Sequence, residues 1–319
     1  MRCLVSPCAT PRRPTLFFVL LAVALVAVPL ARAGAAGRAG VVLGPGPEAR
    51  VSRNSAVARY WTAARMREAR PLEALGRSSS RVAGGDLLAS ASFAAVADPA
   101  VPPFSMVGRV FIKIGKFDAF CSGAAVNSES RQLVLTAAHC LYNLLPGHRF
   151  PTLARLFAFV PAYAAGQAPF GIFAGRKAFI PFPWLRRGNE NFDMAVVLTD
   201  PNEAGQPVAD AVGGGLPIAL DKARNRAYQL LGYPGHLQQR MQECDAGFAG
   251  KDRNTFRLGG PPSFSAGCYM GEGASGGPWL VEGGTEIGGM TTYGYRREFS
   301  RTFGPYFSRR NIGALVTGL

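Results

Sequence analysis

Three side chains that lie far apart in the sequence could together carry out nucleophilic chemistry. His139 ends the run LTAAH, Asp193 opens the run DMAVVL, and Ser275 stands in the glycine-rich stretch GEGASGGPW. A serine hydroxyl is a weak nucleophile near neutral pH, so a base must take its proton as it attacks a carbonyl. An imidazole can do this because its ordinary pKa is about 6.5, and a carboxylate behind it fixes the tautomer and stabilises the transient cation. The three residues predict a Ser-His-Asp triad.

The glycine-rich stretch also matches two other motifs. From Gly271 it satisfies G-x-G-x-x-G, but a dinucleotide-binding loop opens a helix, and here Pro278 and an apolar segment follow. From Gly273 it satisfies G-x-S-x-G, the motif of α/β-hydrolases, in which the histidine follows the serine. All the histidines of this chain precede Ser275, so the chain order excludes that motif; they are His139, His148 and His236. The last two stand beside glycines, and we expect them on the surface.

Other aspartates compete with Asp193 for the role of the acid. Asp200 and Asp210 also lie between the histidine and the serine, and Asp118 would give the order acid, base, nucleophile. Asp118 stands in a polar turn with no adjoining motif. Asp193 is favoured because it opens an apolar strand and completes the order His, Asp, Ser.

The glycines around the nucleophile predict an oxyanion hole. They allow the backbone to bend so that the N–H groups of Gly273 and Ser275 converge on a developing oxyanion, an interaction typically worth about 3–4 kcal/mol. This chemistry needs no metal and no cofactor, and we expect none.

The first 33 residues predict a secretory signal peptide. Three arginines precede an uncharged run, and Ala31-Arg32-Ala33 ends the segment as a small-x-small cleavage pattern. The alternative is an uncleaved membrane anchor, but the strongly apolar part, Leu16 to Leu30, has 15 residues and a membrane span needs about 20. We therefore expect a secreted protein, extracellular or periplasmic.

Four cysteines remain after the signal peptide, an even number in an oxidising compartment. They are Cys121, Cys140, Cys244 and Cys268. Three pairings are open, and proximity favours Cys121 with Cys140 and Cys244 with Cys268. A metal site is the competing explanation, but the chain has no C-x-x-C motif and only three histidines.

The net charge of +15 does not indicate a nucleic-acid-binding protein. Residues 1–33 contain four arginines and no acid, and residues 101–319 contain 22 basic and 15 acidic residues with no basic run longer than a pair. Proteins that bind nucleic acid concentrate their charge in a stripe or an arm. A hydrophobic share of 48% excludes a mainly disordered chain. We expect no nucleic-acid partner, no stable membrane association after signal cleavage, and a monomer.

The remainder divides into two parts. Residues 34–105, rich in Ala, Arg, Gly, Ser and Pro, predict a pro-region and linker, with a helix from Asn54 to Arg70 that Pro71 stops. Residues 106–319 predict an all-β domain with a short C-terminal helix, Ser308 to Thr317. Its predicted strands are Val107–Ile114, Phe120–Val126, Gln132–Thr136, Leu156–Val160, Met194–Leu198, Tyr228–Gly232, Trp279–Val281 and Glu286–Tyr293.

These motifs resemble those of the chymotrypsin-like (trypsin-like) serine proteases, and in particular the secreted bacterial branch that includes the V8-type glutamyl endopeptidases. The resemblance covers residues 106–308 and is carried by CSGAAV, TAAHC, DMAVVL, GASGGPW and the later YGY and GPYF stretches. It implies two packed antiparallel six-stranded β-barrels, about 106–205 and 206–319, with the triad between them. It also implies a serine endopeptidase that hydrolyses polypeptides through an acyl-enzyme intermediate.

The chain departs from the family at two points. Ala274 replaces the aspartate that, in the animal enzymes, pairs with a new N-terminal amine on activation, so that switch is not expected. Tyr269 replaces the aspartate of trypsin's specificity pocket, which suggests a neutral or aromatic-lined pocket formed by Tyr269, Thr291, Thr292, Tyr293 and Gly294. The alternative function is a catalytically inactive binding protein that uses a basic surface, and an esterase on the same fold also stays open.

Overall fold

The computed structural model describes residues 38–42, 50–75, 93–237, 239–281, 283–295 and 298–319. They all belong to a unit that runs from Ala35 to Leu319. The predicted signal peptide, residues 1–33, and much of the predicted linker, residues 76–92, lie outside the described residues. Within the part of the chain that is described, no helix is both long enough and apolar enough to cross a membrane.

Short strands make up most of the structure. In chain order they are β1 (Arg38–Val42), β2 (Arg70–Pro71), β3 (Phe93–Ala95), β4 (Val107–Ile114), β5 (Phe117–Ala125), β6 (Leu133–Thr136), β7 (Tyr142–Asn143), β8 (Thr152–Leu153), β9 (Arg155–Pro161), β10 (Phe173–Pro181), β11 (Ala195–Thr199), β12 (Ala227–Gly232), β13 (Gln242–Lys251), β14 (Phe264–Ala266), β15 (Pro278–Val281), β16 (Glu286–Met290) and β17 (Thr302–Gly304). The helices are α1 (Arg50–Tyr60), α2 (Ala63–Glu68), α3 (Ala138–Leu141), α4 (Phe182–Arg187), α5 (Val208–Ala211) and α6 (Ile312–Val316). Short 3-10 helices cover Leu72–Ala74, Phe104–Met106, Glu190–Phe192 and Arg253–Leu258. The predicted all-β class is confirmed.

Six antiparallel strands close into a first barrel. Their order is β10, β11, β6, β5, β4, β9, and β9 pairs again with β10. Seven of the eight residues of β4 are buried, because its inward face fills the barrel and its outward face is covered as well. Phe111 shares the outward face with Lys113, and the ring of Trp61 lies 5.4 Å from that of Phe111.

Six further strands form a second sheet, which curls into a half-barrel. Their order is β16, β15, β12, β13, β14, β17. The two edges approach where Tyr293 pairs with Phe303. Trp279 of β15 fills the interior, edge-on to Phe264 at 5.2 Å between ring centroids. The chymotrypsin-like arrangement of two six-stranded sheets is therefore present, with the first closed and the second open.

The eight predicted strands are all present, with boundaries displaced by up to three residues. The sequence missed the remaining strands, among them β10, β13, β14 and β17 of the two main sheets. Strand β13 contains Asp245, Gly247 and Gly250, residue types that are depleted in strands. The C-terminal helix is shorter than predicted. Asn311 caps it, its Oδ1 accepting from the N–H of Ile312 at 2.6 Å and that of Ser308 at 2.7 Å, so the residues before Ile312 form a turn.

The helix predicted from Asn54 to Arg70 is wrong in its continuity, because the chain forms two helices there. Thr62 caps the second, its Oγ1 accepting from the N–H of Arg65 at 3.3 Å. Trp61, at the break, is only 1% exposed, and its Nε1 donates to the carbonyl of Leu156 at 2.6 Å. The break turns the indole onto the outward face of β4, where it packs against Phe111, so tertiary burial outweighs helix continuity.

Both disulfides favoured by proximity are formed, Cys121–Cys140 and Cys244–Cys268. They close loops with sequence separations of 19 and 24 residues. Loops of that size correspond to a stabilisation of about 3 kcal/mol each in the chain-entropy model. The first disulfide joins β5 to α3, and thereby fixes the helix that carries His139.

Candidate active site

Strand register brings His139 and Asp193 together. Ala195 of β11 pairs with Thr136, the last residue of β6, so the chain just before β11 meets the chain just after β6. The backbone N–H of His139 donates to Oδ1 of Asp193 at 2.8 Å, and Nδ1 of His139 lies 2.7 Å from Oδ2. Asp193 is 3% exposed. Both carboxylate oxygens therefore orient the imidazole, and its Nε2 faces the cleft.

Ser275 and the N–H of Gly273 are positioned by backbone conformation. Gly273 and Gly276 have φ values of +90° and +85°, a region that side chains strongly disfavour. The carbonyl of Glu272 accepts from the N–H of Gly235 at 2.8 Å, which leaves the N–H of Gly273 on the opposite side of that peptide, facing the cleft. The predicted oxyanion donor thus points into the site.

Ser122 holds this loop from the other barrel. Its hydroxyl donates to the carbonyl of Gly273 at 2.9 Å and accepts from the N–H of Tyr233 at 3.0 Å. Its backbone N–H donates to the carbonyl of Ser275 at 2.7 Å. The sequence analysis assigned Ser122 no role, although it stands in the CSGAAV motif. One residue of β5 therefore fixes the nucleophile loop at two carbonyls.

Phe120 forms the wall behind Gly273. A Cβ on Gly273 would lie 2.4 Å from its ring. On the ring sits the guanidinium of Arg109 at 3.5 Å, in a cage that also contains Phe111, Tyr163 and Tyr233. Burial lowers the pKa of Arg109 to about 10, against the opposing effect of the two tyrosines. The wall is rigid, so the loop has no room for an added side chain.

A carboxylate from the predicted pro-region occupies the cleft. Glu73 lies in the segment Arg70–Leu75, which we call the cleft segment. Its Oε2 accepts from the N–H of Gly273 at 3.0 Å, and its Oε1 accepts from the hydroxyl of Ser275 and lies 3.3 Å from Nε2 of His139. His139 and Ser275 therefore meet at one oxygen atom. Glu73 was not predicted as a site residue, since a lone glutamate in the predicted pro-region belongs to no motif.

The charges at this oxygen are mutually stabilising. Burial alone would lower the pKa of His139, but the charge of Asp193 and the hydrogen bonds to Asp193 and Glu73 outweigh it and raise the pKa to about 10. Burial would raise the pKa of Glu73, but hydrogen bonds to His139 and Ser275 and the charge on His139 bring it below its ordinary value. The site therefore holds an imidazolium between two carboxylates.

The predicted pocket residues have different surroundings, and one of them contacts Ser275. Thr291 is 3% exposed, and its Oγ1 accepts from Nε1 of Trp279 at 2.9 Å, so its side chain faces the core. The carbonyl of Thr292 lies 3.3 Å from Oγ of Ser275. Tyr269 packs against Gly294, where a Cβ would lie 2.8 Å from its ring. Tyr293 stacks on Phe303 at 5.3 Å.

An acidic network lies beyond these residues. Oδ2 of Asp252, which is 4% exposed, accepts from the hydroxyls of Tyr293 and Tyr295 at 2.6 Å each. Burial, followed by the charges of Asp252 and Asp193, raises the pKa of Glu190. The charges of Asp252 and Asp193 therefore both act on the carboxyl group of Glu190.

The competing residues make other contacts. Asp118 pairs with Arg65 and Lys113, Asp200 lies 3.8 Å from Arg176, and Asp210 pairs with Arg131. His148 lies 3.3 Å from Oγ1 of Thr152, and His236 is near Gly271. Cys121, His139 and Cys140 form the one metal-like cluster among the described residues. The two sulfurs of that cluster are bonded to each other, which makes them unsuitable as thiolate ligands.

The two sheets define the chymotrypsin-like fold. Structures of bacterial enzymes share this fold. The protease Anisep from Arthrobacter nicotinovorans is 29% identical over 67% of this chain and 94% of its own, with a TM-score of 0.58. A thermostable serine protease, AL20, from an extremophilic microorganism is 29% identical over 67% of this chain and 98% of its own, with a TM-score of 0.59.

A third similar structure is a Glu endopeptidase. It is 18% identical over 72% of this chain and 97% of its own, with a TM-score of 0.56, and at that identity it shows the fold alone. No protein-family model matches the sequence, and no curated protein does. The chain thus has the protease fold, and the bacterial serine proteases are the proteins that it resembles.

Proposed function

We propose that this protein is a secreted serine endopeptidase that hydrolyses peptide bonds through His139, Asp193 and Ser275. One observation carries the proposal: the hydroxyl of Ser275, Nε2 of His139 and the N–H of Gly273 all converge on the carboxylate of Glu73. A nucleophile, a base and an oxyanion donor must converge in this way on a scissile carbonyl group. The similarity to bacterial serine proteases supports the same conclusion.

The geometry supports a two-step reaction. Oγ of Ser275 attacks the carbonyl carbon of the substrate while Nε2 of His139 takes the hydroxyl proton, and the carbonyl oxygen becomes an oxyanion facing the N–H groups of Gly273 and Ser275. Asp193 stabilises the imidazolium, which then protonates the leaving amine. A water molecule attacks the resulting acyl-enzyme, gives its proton to His139, and releases the acid as the proton returns to Oγ.

We further propose that the protein is made with a signal peptide, residues 1–33, and a pro-region, residues 34–105, and that it acts as a monomer. The substrate pocket is proposed to take a neutral or aromatic residue. The residue types support this, because Tyr269 and Tyr293 are aromatic and none of the predicted pocket residues carries a charge. Cleavage of a peptide library measures this preference, and paired peptide and ester substrates distinguish a peptidase from an esterase.

A fluorophosphonate probe tests the catalytic proposal, because it labels only an activated serine nucleophile. We expect labelling at Ser275, abolished by Ser275→Ala and retained by Ser300→Ala, which alters an exposed serine. Peptide mapping of the labelled protein identifies the site. Folded protein that is not labelled, even when Glu73 is replaced by alanine to open the cleft, would contradict the proposal.

A further inference from the structure

The cleft segment presents an acidic side chain where a substrate carbonyl would lie. We propose that Arg70–Leu75 is a built-in inhibitor of the active site and that the Glu73 carboxylate is its inhibitory group. This inference rests on the proposed function, since it concerns the same site. The ligand class that it assigns to the site is an acidic peptide segment, bound through a side-chain carboxylate.

The chemistry of Glu73 distinguishes an inhibitor from a substrate. What faces the hydroxyl of Ser275 is a carboxylate, which is a poor electrophile and carries no amine that could leave. Its negative charge at the N–H of Gly273 instead imitates the oxyanion that forms during acyl transfer. The carboxylate therefore uses the contacts that stabilise the reaction without undergoing it.

The site is already formed around the segment. The N–H of Gly273 faces the cleft, the carbonyl of Glu272 is held by Gly235, and Asp193 holds His139. Ala274, in place of the aspartate of the animal enzymes, is fully buried beside the backbone of Gly232. Inhibition would therefore come from occupancy of an ordered site, and displacement of one side chain would expose it.

Apolar contacts hold the segment in place. Leu72 and Leu75 are each 3% exposed and belong to the hydrophobic core that also contains Phe111 and Phe120. The backbone of Arg70–Pro71 pairs with Ala119 and Phe120 of β5, and the guanidinium of Arg70 donates to the carbonyl of Ala74 at 3.0 Å. Glu73 projects from the 3-10 turn between the two leucines, so the anchors fix the position of its carboxylate.

The two helices before the segment supply a second anchor. Trp61 and Val57 are each 1% exposed within the same core. Asp118 of barrel one accepts from the hydroxyl of Tyr60 at 2.6 Å and from the guanidinium of Arg65 at 2.9 Å. Since an ordered ligand loses little entropy on binding, this anchorage raises the effective concentration of the carboxylate at the site.

The test compares labelling rates of the full chain with the fluorophosphonate probe. Glu73→Ala and Glu73→Gln remove the charge at Ser275, and we expect each to raise the rate about tenfold or more, since charge-assisted hydrogen bonds are lost. Glu68→Gln is the matched control, because Glu68 lies five residues earlier on the exposed face of α2. Its rate should stay within about twofold of the wild type, as expected for an exposed substitution.

A further variant separates the carboxylate from its anchor. Leu72→Ala keeps Glu73 but loosens the segment, and we expect an intermediate rise in labelling rate. Equal labelling rates for the wild type and Glu73→Ala, with both labelled at Ser275, would overturn the proposal that Glu73 is inhibitory. The proposed function would still stand. Cooperative thermal unfolding of every variant without labelling of any would instead overturn the proposed function.

Discussion

The two walls of the cleft position their reactive groups by different means. On barrel one, His139 is held by side-chain hydrogen bonds to Asp193, and strand register sets their separation. On the half-barrel, Ser275 and the N–H of Gly273 are placed by glycine conformations and backbone hydrogen bonds. The first wall should therefore be sensitive to the loss of a charge, and the second to the addition of an atom.

The largest effect is expected from Asp193→Asn, which keeps the shape of the acid but removes its charge. The amide cannot both stabilise the imidazolium and hold the correct tautomer, so kcat should fall about 10⁴-fold. The measurement is peptide-ester turnover by the Glu73→Ala chain, with and without the substitution. Asp210→Asn, at an exposed ion pair, is the control and should change little. Substantial residual activity in Asp193→Asn would show that another group acts as the acid.

A smaller loss of kcat is expected from Gly273→Ala, which tests the side of the cleft that carries Ser275. The new Cβ would lie 2.4 Å from the ring of Phe120, at a φ of +90° that alanine rarely adopts, so the N–H must move. Loss of one oxyanion donor lowers kcat by about 10²–10³-fold. Gly247→Ala, where a Cβ meets nothing within 4 Å, is the matched control. If both variants kept full turnover, the backbone position of Gly273 would not be important for catalysis.

The smallest expected effect is a change in the pKa of His139, the base on the first wall of the cleft. It is raised to about 10 by Asp193 and Glu73 against the effect of burial, so Glu73→Gln should lower it while Asp193 still holds it up. The groups facing the ring are Asp193 at Nδ1 and Glu73 at Nε2, with Trp184 6.3 Å away between ring centroids. NMR titration of the imidazole in the Ser275→Ala chain, which cannot cleave itself, measures the change. An unaltered pKa would mean that Glu73 does not act on the base.

The sign of the pH dependence follows from these two groups. His139 has a raised pKa, so its contribution to stability is fully present below 6.5 and is lost as the pH rises through about 10. Glu73 has a lowered pKa, so its contribution is present above 4.5 and is lost as the pH falls through its value in the folded protein. Both contributions are fully present between pH 4.5 and pH 6.5, so the cleft segment should bind most tightly in that range.

The sequence predicts the fold well because local patterns and chain order agree. Apolar runs such as Val107–Ile114 locate strands, and the position of every histidine before Ser275 excludes the α/β-hydrolase order. Both disulfides follow from proximity along the chain. Strand β13 was missed because its glycines and aspartate disfavour a strand, and pairing with β12 overrides that preference.

The contacts of the site were less predictable, because they join residues that no motif connects. Glu73 reaches Ser275 across 202 positions, and the anchors of the cleft segment, among them the buried Leu72 and Leu75, bring it there. Ser122 belongs to a motif, but its two hydrogen bonds depend on how the barrels pack. Thr291 turns its hydroxyl to Trp279 because a buried indole N–H needs an acceptor, which the spacing from Ser275 does not reveal.

The burial of Trp61 against the outer face of the first barrel has a consequence for how inhibition would end. If the chain is cut after Leu75, the inhibitor becomes a separate peptide that is still seated by its indole and by Val57. The dissociation of this peptide would then follow mass action. Freshly cut molecules would therefore remain inactive at high concentration and become active on dilution. Secretion into a large volume would itself complete the activation that the cut began.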